Sequence, residues 1–160
     1  MKSLLVVRHA KSSWEWDDLH DFDRPLNERG KRDAPEMARR LVSAGVIPDL
    51  LVSSPAERAK RTAELFAQEL GKEEIQFVPE LYHAPVEVFY RVIQNLDDSA
   101  GLLAVFSHNP GITAFVNELT KTRVDNMPTC GVFGVQVQAE HWKEFRKAKK
   151  EFWFFDYPKA

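Results

Sequence analysis

The 160-residue sequence predicts an α/β fold in which helices cover both faces of a mostly parallel central sheet, a three-layer α/β/α sandwich. Short runs of aliphatic residues alternate with longer segments whose apolar residues recur at helical spacing, as expected for strand–helix–strand units. The first run, residues 4–7, is typical of a strand buried on both faces. The last two strand-like segments lack a matching crossover helix, so we expect an antiparallel edge.

The elements follow from this alternation. The expected strands are residues 2–8, 49–53, 75–78, 102–107, 132–137 and 151–155, and the expected helices are residues 28–44, 55–70, 86–96 and 110–121. Proline removes a backbone donor, so Pro35 is expected to kink or divide the first helix. Ser54 before Pro55, and Asn109 before Pro110, are typical of a helix cap followed by proline at the first helical position. Both helices are therefore expected to begin directly at strand ends.

Composition bounds the partners and the compartment. The hydrophobic share is 44%, the charged share is 29% and the net charge is −2, which argues against a nucleic-acid partner held by phosphate electrostatics. The length fits one domain over residues 1–160. Cys130 is the only cysteine, so a reducing compartment without an internal disulfide is expected. The sequence has neither a signal-peptide core nor a membrane-length apolar run, so we predict a cytoplasmic protein with no membrane partner.

Four candidate functional residues follow strands of the predicted sheet. Arg8 and His9 follow the first strand, Arg58 lies in the helix after the second, and His108 follows the fourth. Because parallel strands end at one edge of a sheet, these side chains are expected to converge there. Guanidinium groups bind phosphate oxygens, and a neutral imidazole can act as a nucleophile. The sequence therefore predicts a phosphate site with two arginines and two histidines.

The motifs that carry these residues resemble those of the phosphoglycerate mutase-like histidine phosphatase superfamily. They are RHA at residues 8–10, SPAERAKRT at residues 54–62 and SHNP at residues 107–110. RHAKS at residues 8–12 and RPLNERG at residues 24–30 are similar to the SixA-like phosphohistidine phosphatase branch. Ala10 stands where the superfamily usually has glycine, and the SixA-like branch accepts alanine there. The likeness extends from Ser3 to about Asn117.

The resemblance implies roles for these residues. His9 would be the nucleophile that takes the phosphoryl group, and Arg8, Arg58 and His108 would form the phosphate pocket. Arg24 is a further candidate for that pocket. Arg8 and Arg58 are expected to keep His9 neutral, whereas His108 is expected to donate from its protonated form. The sequence leaves both ring nitrogens of His9 open as the attacking atom.

No metal or other cofactor is expected. The five histidines show no zinc spacing, and the acidic cluster after the first strand lacks the pattern of a calcium loop. We interpret that cluster, Asp17, Asp18, Asp21 and Asp23, as a solvated loop. In the same loop, Trp14 and Trp16 are expected to contact substrate at the rim of the site.

The identity of a general acid decides the substrate class. Mutase-like members of the superfamily carry a glutamate two residues beyond a leucine after the third strand, and this chain has His83 at that place. Glu80 stands just before Leu81, so Glu80 and His83 are both candidate proton donors, and a structural role for either fits equally well. An alkoxide leaves poorly without a placed donor, whereas a protonated phosphoimidazole releases a neutral ring. This asymmetry favours an N-phosphorylated substrate.

We therefore predict a metal-independent phosphohistidine phosphatase that hydrolyses phosphoryl groups from protein histidines through a phosphohistidine enzyme intermediate. One alternative is a phosphatase of small phosphate monoesters. Another is a non-catalytic module that binds phosphate or a phosphoprotein, although binding alone would need only the arginines and not His9 and His108. The expected partners are a phosphorylated protein or a small phosphorylated substrate, with inorganic phosphate as product.

Overall fold

A six-stranded β-sheet forms the centre of the computed structural model, which describes residues 1–15 and 18–159. The strands in chain order are β1 (Lys2–Arg8), β2 (Leu50–Ser53), β3 (Gln76–Phe77), β4 (Leu102–Ser107), β5 (Val132–Val137) and β6 (Lys150–Asp156). Across the sheet their order is β3-β2-β4-β1-β5-β6. Pairing is parallel from β3 to β1 and antiparallel at β5 and β6, so the predicted fold class with its antiparallel edge is confirmed.

Helices cover both faces of the sheet. They are α1 (Glu28–Ser43), α2 (Glu57–Leu70), α3 (Val86–Gln94) and α4 (Gly111–Leu119). Successive residues of β1 alternate between the two cores, as the pleat of a strand requires. Leu5 packs in the core that includes Phe66 of α2, and Leu4 packs in the core that includes Phe115 of α4. Within the described residues, no helix is long and apolar enough to cross a membrane.

The helices depart from the sequence predictions at two places. Of the two outcomes expected at Pro35, a kink or a division, the division does not occur, because α1 continues across that residue. Ala34 and Met37, on either side of it, are buried in the core, and this burial offsets the one backbone bond that proline removes. The expected serine and asparagine caps are also absent, since α2 and α4 begin at Glu57 and Gly111 without a side-chain capping bond.

The carboxyl ends of β1, β4 and β2 lie side by side, and their register positions the site. Arg8, the last residue of β1, pairs with Ser107, the last residue of β4. The last residue of β2 pairs with Phe106 on the other side of β4. His9 and His108, which come next in the chain, therefore leave the sheet at the same edge.

Candidate active site

A cleft of ≈ 290 Å³ opens at this edge of the sheet. The structure brings the four residues of the predicted constellation together in its walls, namely Arg8, His9, Arg58 and His108. Arg24 lines the same cleft. The parallel register explains the convergence, because the four residues come from segments that follow β1, β2 and β4.

His9 is held through one ring nitrogen, which leaves the lone pair of the other available. Its Nδ1 lies 2.7 Å from the carbonyl oxygen of Ala10. A carbonyl only accepts, so Nδ1 carries the proton and Nε2 carries the lone pair. Burial lowers the pKa of His9 to about 3; the bond to Ala10 opposes this shift, and the charges of Arg58 and Arg8 add to it. At neutral pH His9 is therefore an uncharged imidazole that can attack through Nε2.

His108 lies beside His9, with the two ring centroids 5.2 Å apart. Its Nε2 is 2.8 Å from the hydroxyl of Ser54, the residue that does not cap α2. Burial lowers the pKa of His108 to about 2, and His9 and Arg58 shift it in the same direction. Burial therefore favours the neutral ring of His108 in the cleft without a bound anion, whereas the protonated donor is expected when a phosphoryl group is bound. A bound phosphoryl dianion would raise its pKa again, because a nearby negative charge favours the imidazolium.

Arg8 places a half-buried cation at the base of the cleft. Its Nη1 donates to the carbonyl oxygen of Met127 at 2.8 Å. Its Nε is buried and has no hydrogen-bond partner among residues 1–15 and 18–159, and the same holds for Nδ1 of His108. Buried polar atoms that lack a partner are costly in a protein interior. Their presence beside a cleft suits the binding of an anion.

Arg58 enters the cleft from the first turn of α2 and is fixed to the segment that carries His9. The hydroxyl of Thr62, one turn further along α2, donates to the carbonyl oxygen of Arg58 at 2.7 Å and accepts from the amide of Ala10 at 2.9 Å. These two bonds couple the helix turn of Arg58 to the end of β1. The guanidinium itself bonds Asp21, through Nη1 to the main-chain oxygen at 2.6 Å and through Nη2 to Oδ2 at 2.9 Å.

Arg24 reaches the cleft from the loop between β1 and α1. Its Nε donates to the carbonyl oxygen of Ser13 at 3.2 Å, and its Nη2 donates to the hydroxyl of Ser12. The indole of Trp14 covers the guanidinium, whose central carbon lies 3.3 Å from the ring centroid. Trp14 lines the cleft and is 72% exposed, which places it at the rim. The other predicted rim residue, Trp16, lies outside the described residues, as does Asp17.

Asp21 is a cleft residue that the sequence does not predict, since the solvated-loop interpretation is wrong for it. Its carboxylate accepts from Arg24 at 2.8 Å, from Arg58 at 2.9 Å and from the hydroxyl of Tyr82 at 2.7 Å. Partial burial raises the pKa of Asp21, but the hydrogen bonds from Tyr82, Arg58 and Arg24 outweigh that effect and hold it well below its usual range. Asp21 thus contributes a fixed negative charge to the wall of a cationic cleft.

The structure separates the two candidate proton donors. His83 lines the cleft, where its Nε2 lies 3.8 Å from Oδ2 of Asp21. Its ring packs against Tyr82 with centroids 3.9 Å apart and the ring planes tilted by 37°, and its backbone has a positive φ of 58°. Glu80 is not brought to the cleft, which corrects its candidacy as a donor there. The 3₁₀ turn Pro79–Leu81 buries Leu81 and leaves Glu80 exposed beside a different surface cavity.

Comparison with known sequences identifies the family. The model of the histidine phosphatase superfamily (branch 1) matches residues 4–84, half of the chain. An uncharacterized chloroplastic protein of Arabidopsis thaliana is 27% identical over 153 residues, which cover 89% of this chain and 70% of that protein. The 2,3-bisphosphoglycerate-dependent phosphoglycerate mutase of Thermobifida fusca is 34% identical over 73 residues, which cover 44% of this chain and 30% of the mutase.

Comparison with solved structures gives the same fold. SixA from Agrobacterium tumefaciens superposes with a TM-score of 0.83 at 24% identity, covering 98% of each chain. The protein histidine phosphatase SixA complexed with tungstate has a TM-score of 0.83 at 22% identity, covering 98% of this chain and 97% of that one. The segment matched by the family model contains Arg8, His9 and Arg58. The chain therefore belongs to the histidine phosphatase superfamily, and its enzyme class is that of a phosphatase.

Proposed function

We propose that this phosphatase removes phosphoryl groups from histidine side chains of proteins through a covalent phosphohistidine on His9. One observation carries the proposal. The bond from Nδ1 of His9 to the carbonyl oxygen of Ala10 leaves Nε2 as the nucleophilic atom, in a cleft whose walls include Arg8 and Arg58. A neutral imidazole and fixed guanidinium groups are the parts that in-line phosphoryl transfer requires.

The first step exchanges one phosphorus–nitrogen bond for another. Nε2 of His9 attacks phosphorus, and the bond from phosphorus to the substrate imidazole breaks. The other nitrogen of that substrate ring already carries a proton, so the ring leaves as neutral imidazole. His9, protonated on Nδ1, becomes the new phosphoimidazolium, and the carbonyl oxygen of Ala10 stabilises its charge. Arg8 and Arg58 stabilise the charge on the phosphoryl oxygens in the transition state.

The second step is hydrolysis of this intermediate. A water oxygen attacks phosphorus, the bond from phosphorus to Nε2 of His9 breaks, and the electron pair returns to Nε2. The products are neutral His9 and dihydrogen phosphate, which loses a proton to solvent according to the pH. Both steps balance without a cofactor.

The groups in the wall of the cleft favour a substrate whose leaving group is a ring nitrogen rather than an alkoxide. The carboxylate in that wall, Asp21, is held ionised by Tyr82 and two arginines and so has no proton to give. Glu80 lies at a different cavity. An alkoxide needs a positioned acid, which typically contributes about 10² to 10⁴-fold in rate, whereas a protonated phosphoimidazole needs none.

A protein substrate is supported by the rim and by the structural comparison. Trp14 is exposed at the mouth of the cleft, and exposed aromatic residues are favoured at recognition surfaces. The tungstate-bound structure of the same fold is that of a protein histidine phosphatase. These two observations and the leaving-group argument support a protein histidine as the proposed substrate.

Three substrates test the proposal in parallel. They are a phosphohistidine peptide, a phosphoserine peptide of the same sequence, and p-nitrophenyl phosphate, whose phenolate leaves without an acid. We expect kcat/KM on phosphoserine to be about 10³-fold below that on phosphohistidine, with p-nitrophenyl phosphate between them.

Each other result has a definite meaning. Comparable rates on the two peptides would contradict the proposal and favour the monoester phosphatase, with His83 as the acid at the cleft. Phosphate binding without turnover of any of the three substrates would favour the non-catalytic module.

A further inference from the structure

Two arginines of the cleft direct donors to one carboxylate. Asp21 Oδ1 accepts from Arg24 at 2.8 Å, and Oδ2 accepts from Arg58 at 2.9 Å. The hydroxyl of Tyr82 adds a bond to Oδ2 at 2.7 Å. Arg58 and Arg24 line the same cleft as His9. A carboxylate therefore occupies donors that a phosphoryl group in this cleft would also use.

The main chain of Asp21 also ties this segment to α2, independently of the carboxylate. Nη1 of Arg58 donates to the main-chain oxygen of Asp21 at 2.6 Å, and this bond does not depend on the side chain at position 21. The side chain is 42% exposed, so it has solvent to turn into, whereas the side chain of Arg58 is 6% exposed. Of the two partners, Asp21 is the one with room to move.

Charge decides how Asp21 affects an anion at His9. A carboxylate and a phosphoryl dianion repel each other, and they accept from the same kind of N–H donor. From these contacts we propose that Asp21 competes with the phosphoryl group for Arg58 and Arg24, and thereby keeps the affinity of the cleft for free phosphate low. This inference rests on the proposed function. Its consequence is that inorganic phosphate, the product, leaves readily.

An arginine–carboxylate contact could also serve to orient the arginine for phosphate binding, and this role predicts the opposite change in phosphate affinity when the carboxylate is removed. If Asp21 served to orient Arg58 toward the phosphoryl group, removing its charge would weaken anion binding. Competition requires that removing the charge strengthens binding. A gain in affinity cannot result from damage to the fold, so the direction of the change separates the two roles.

The test is isothermal titration calorimetry with inorganic phosphate on the full chain. Asp21→Asn keeps the size of the side chain and removes its charge, and Asp21→Ala removes the hydrogen bonds as well. Asp23→Asn is the matched control, because Asp23 lies in the same 3₁₀ turn (Asp21–Asp23) and is exposed. We expect both Asp21 variants to bind phosphate roughly tenfold more tightly than the parent, and the control to bind within about twofold of it.

Arg58→Ala, measured in the same series, separates failure of this inference from failure of the proposed function. If Arg58→Ala weakens phosphate binding while both Asp21 variants bind equally well or less tightly than the parent, the competition is refuted and the phosphate site stands. If Arg58→Ala leaves phosphate binding unchanged, the cleft is not the phosphate site and both proposals fail.

Discussion

The base and the rim of the cleft are built in different ways. The base residues lie at strand ends or in the first turn of α2. Arg8 is half-buried, and the other three are almost fully buried, with His9 at 5%, Arg58 at 5% and His108 at 3% exposure. Rim residues come from loops and are more accessible, with the side chains of Asp21 at 42% and His83 at 63% exposure. In the proposed mechanism the base carries the chemistry, whereas the more accessible rim adjusts what binds. Substitutions in the two regions should differ accordingly.

The largest effect is expected from the base, at His9. His9→Ala should lower kcat/KM on a phosphohistidine peptide by at least about 10³-fold, because the nucleophile is lost. Steady-state phosphate release measures this loss. His141→Ala is the control, since His141 is 51% exposed and lines another cavity. Activity of His9→Ala within tenfold of the parent would show that the base does not carry the chemistry.

The next largest effect is expected at Arg58. Arg58→Ala should lower kcat/KM by about 10²-fold, because one cationic donor to the transition state is removed. Arg61→Ala in the same helix is the matched control, since the side chain of Arg61 is 48% exposed and its partner is Glu64 at 3.6 Å. Equal losses of kcat/KM in Arg58→Ala and Arg61→Ala would show that Arg58 does not act as a donor to the transition state.

The buried histidines of the base also predict an acid-sensitive fold. The folded-state pKa of His9 is about 3, below the value of about 6.5 in an unfolded chain, so the unfolded chain takes up the proton first. The stability that the neutral form of His9 contributes to the folded protein is complete above pH 6.5 and is lost as the pH falls toward 3. The free energy of unfolding of the parent should therefore decrease between about pH 7 and pH 5. In His9→Asn, which lacks the titrating imidazole, this decrease should be smaller by roughly 2 kcal/mol.

Urea denaturation of both proteins at the two pH values measures this difference. A parallel fall in stability would show that His9 keeps an ordinary pKa in the folded protein. His83→Asn is the control from the rim, where the side chain is 63% exposed.

The smallest effect is expected at the rim. His83→Ala should change kcat/KM on a phosphohistidine peptide by less than about threefold, because a protonated phosphoimidazole leaves without an acid. Glu80→Ala, outside the cleft, is the control. A loss as large as that of Arg58→Ala would make His83 a proton donor and would move part of the chemistry to the rim.

The same contrast explains how much the sequence predicts. Arg8, His9 and His108 follow apolar runs directly, so the parallel sheet is enough to bring them together. Asp21 could not be predicted, because its place depends on the path of a loop and its neighbours Asp18 and Asp23 are also acidic. Glu80 and His83 are three residues apart, and the sequence could not tell which of them reaches the cleft. The structure decides this, because the turn that buries Leu81 leaves only His83 at the cleft.

Local rules failed where tertiary contacts compete with them. Ser54 satisfies the pattern of a helix cap, yet its hydroxyl accepts from the amide of Ala56 and bonds His108. Proline inside a helix pattern predicts a break, yet α1 continues across Pro35 because its inner face is buried. The tautomer of His9 also required the structure, since only the bond to Ala10 shows that Nε2 carries the lone pair.

The most direct test of the account is to quench the reaction during turnover of a ³²P-labelled phosphohistidine peptide and to locate the label on the enzyme. Isomer-specific antibodies distinguish phosphorylation of Nε2 from phosphorylation of Nδ1. We predict that the label is on His9, at Nε2, and that His9→Asn takes up none. Label at Nδ1 of His9 or on His108, or turnover in which no label reaches the protein, would contradict the account.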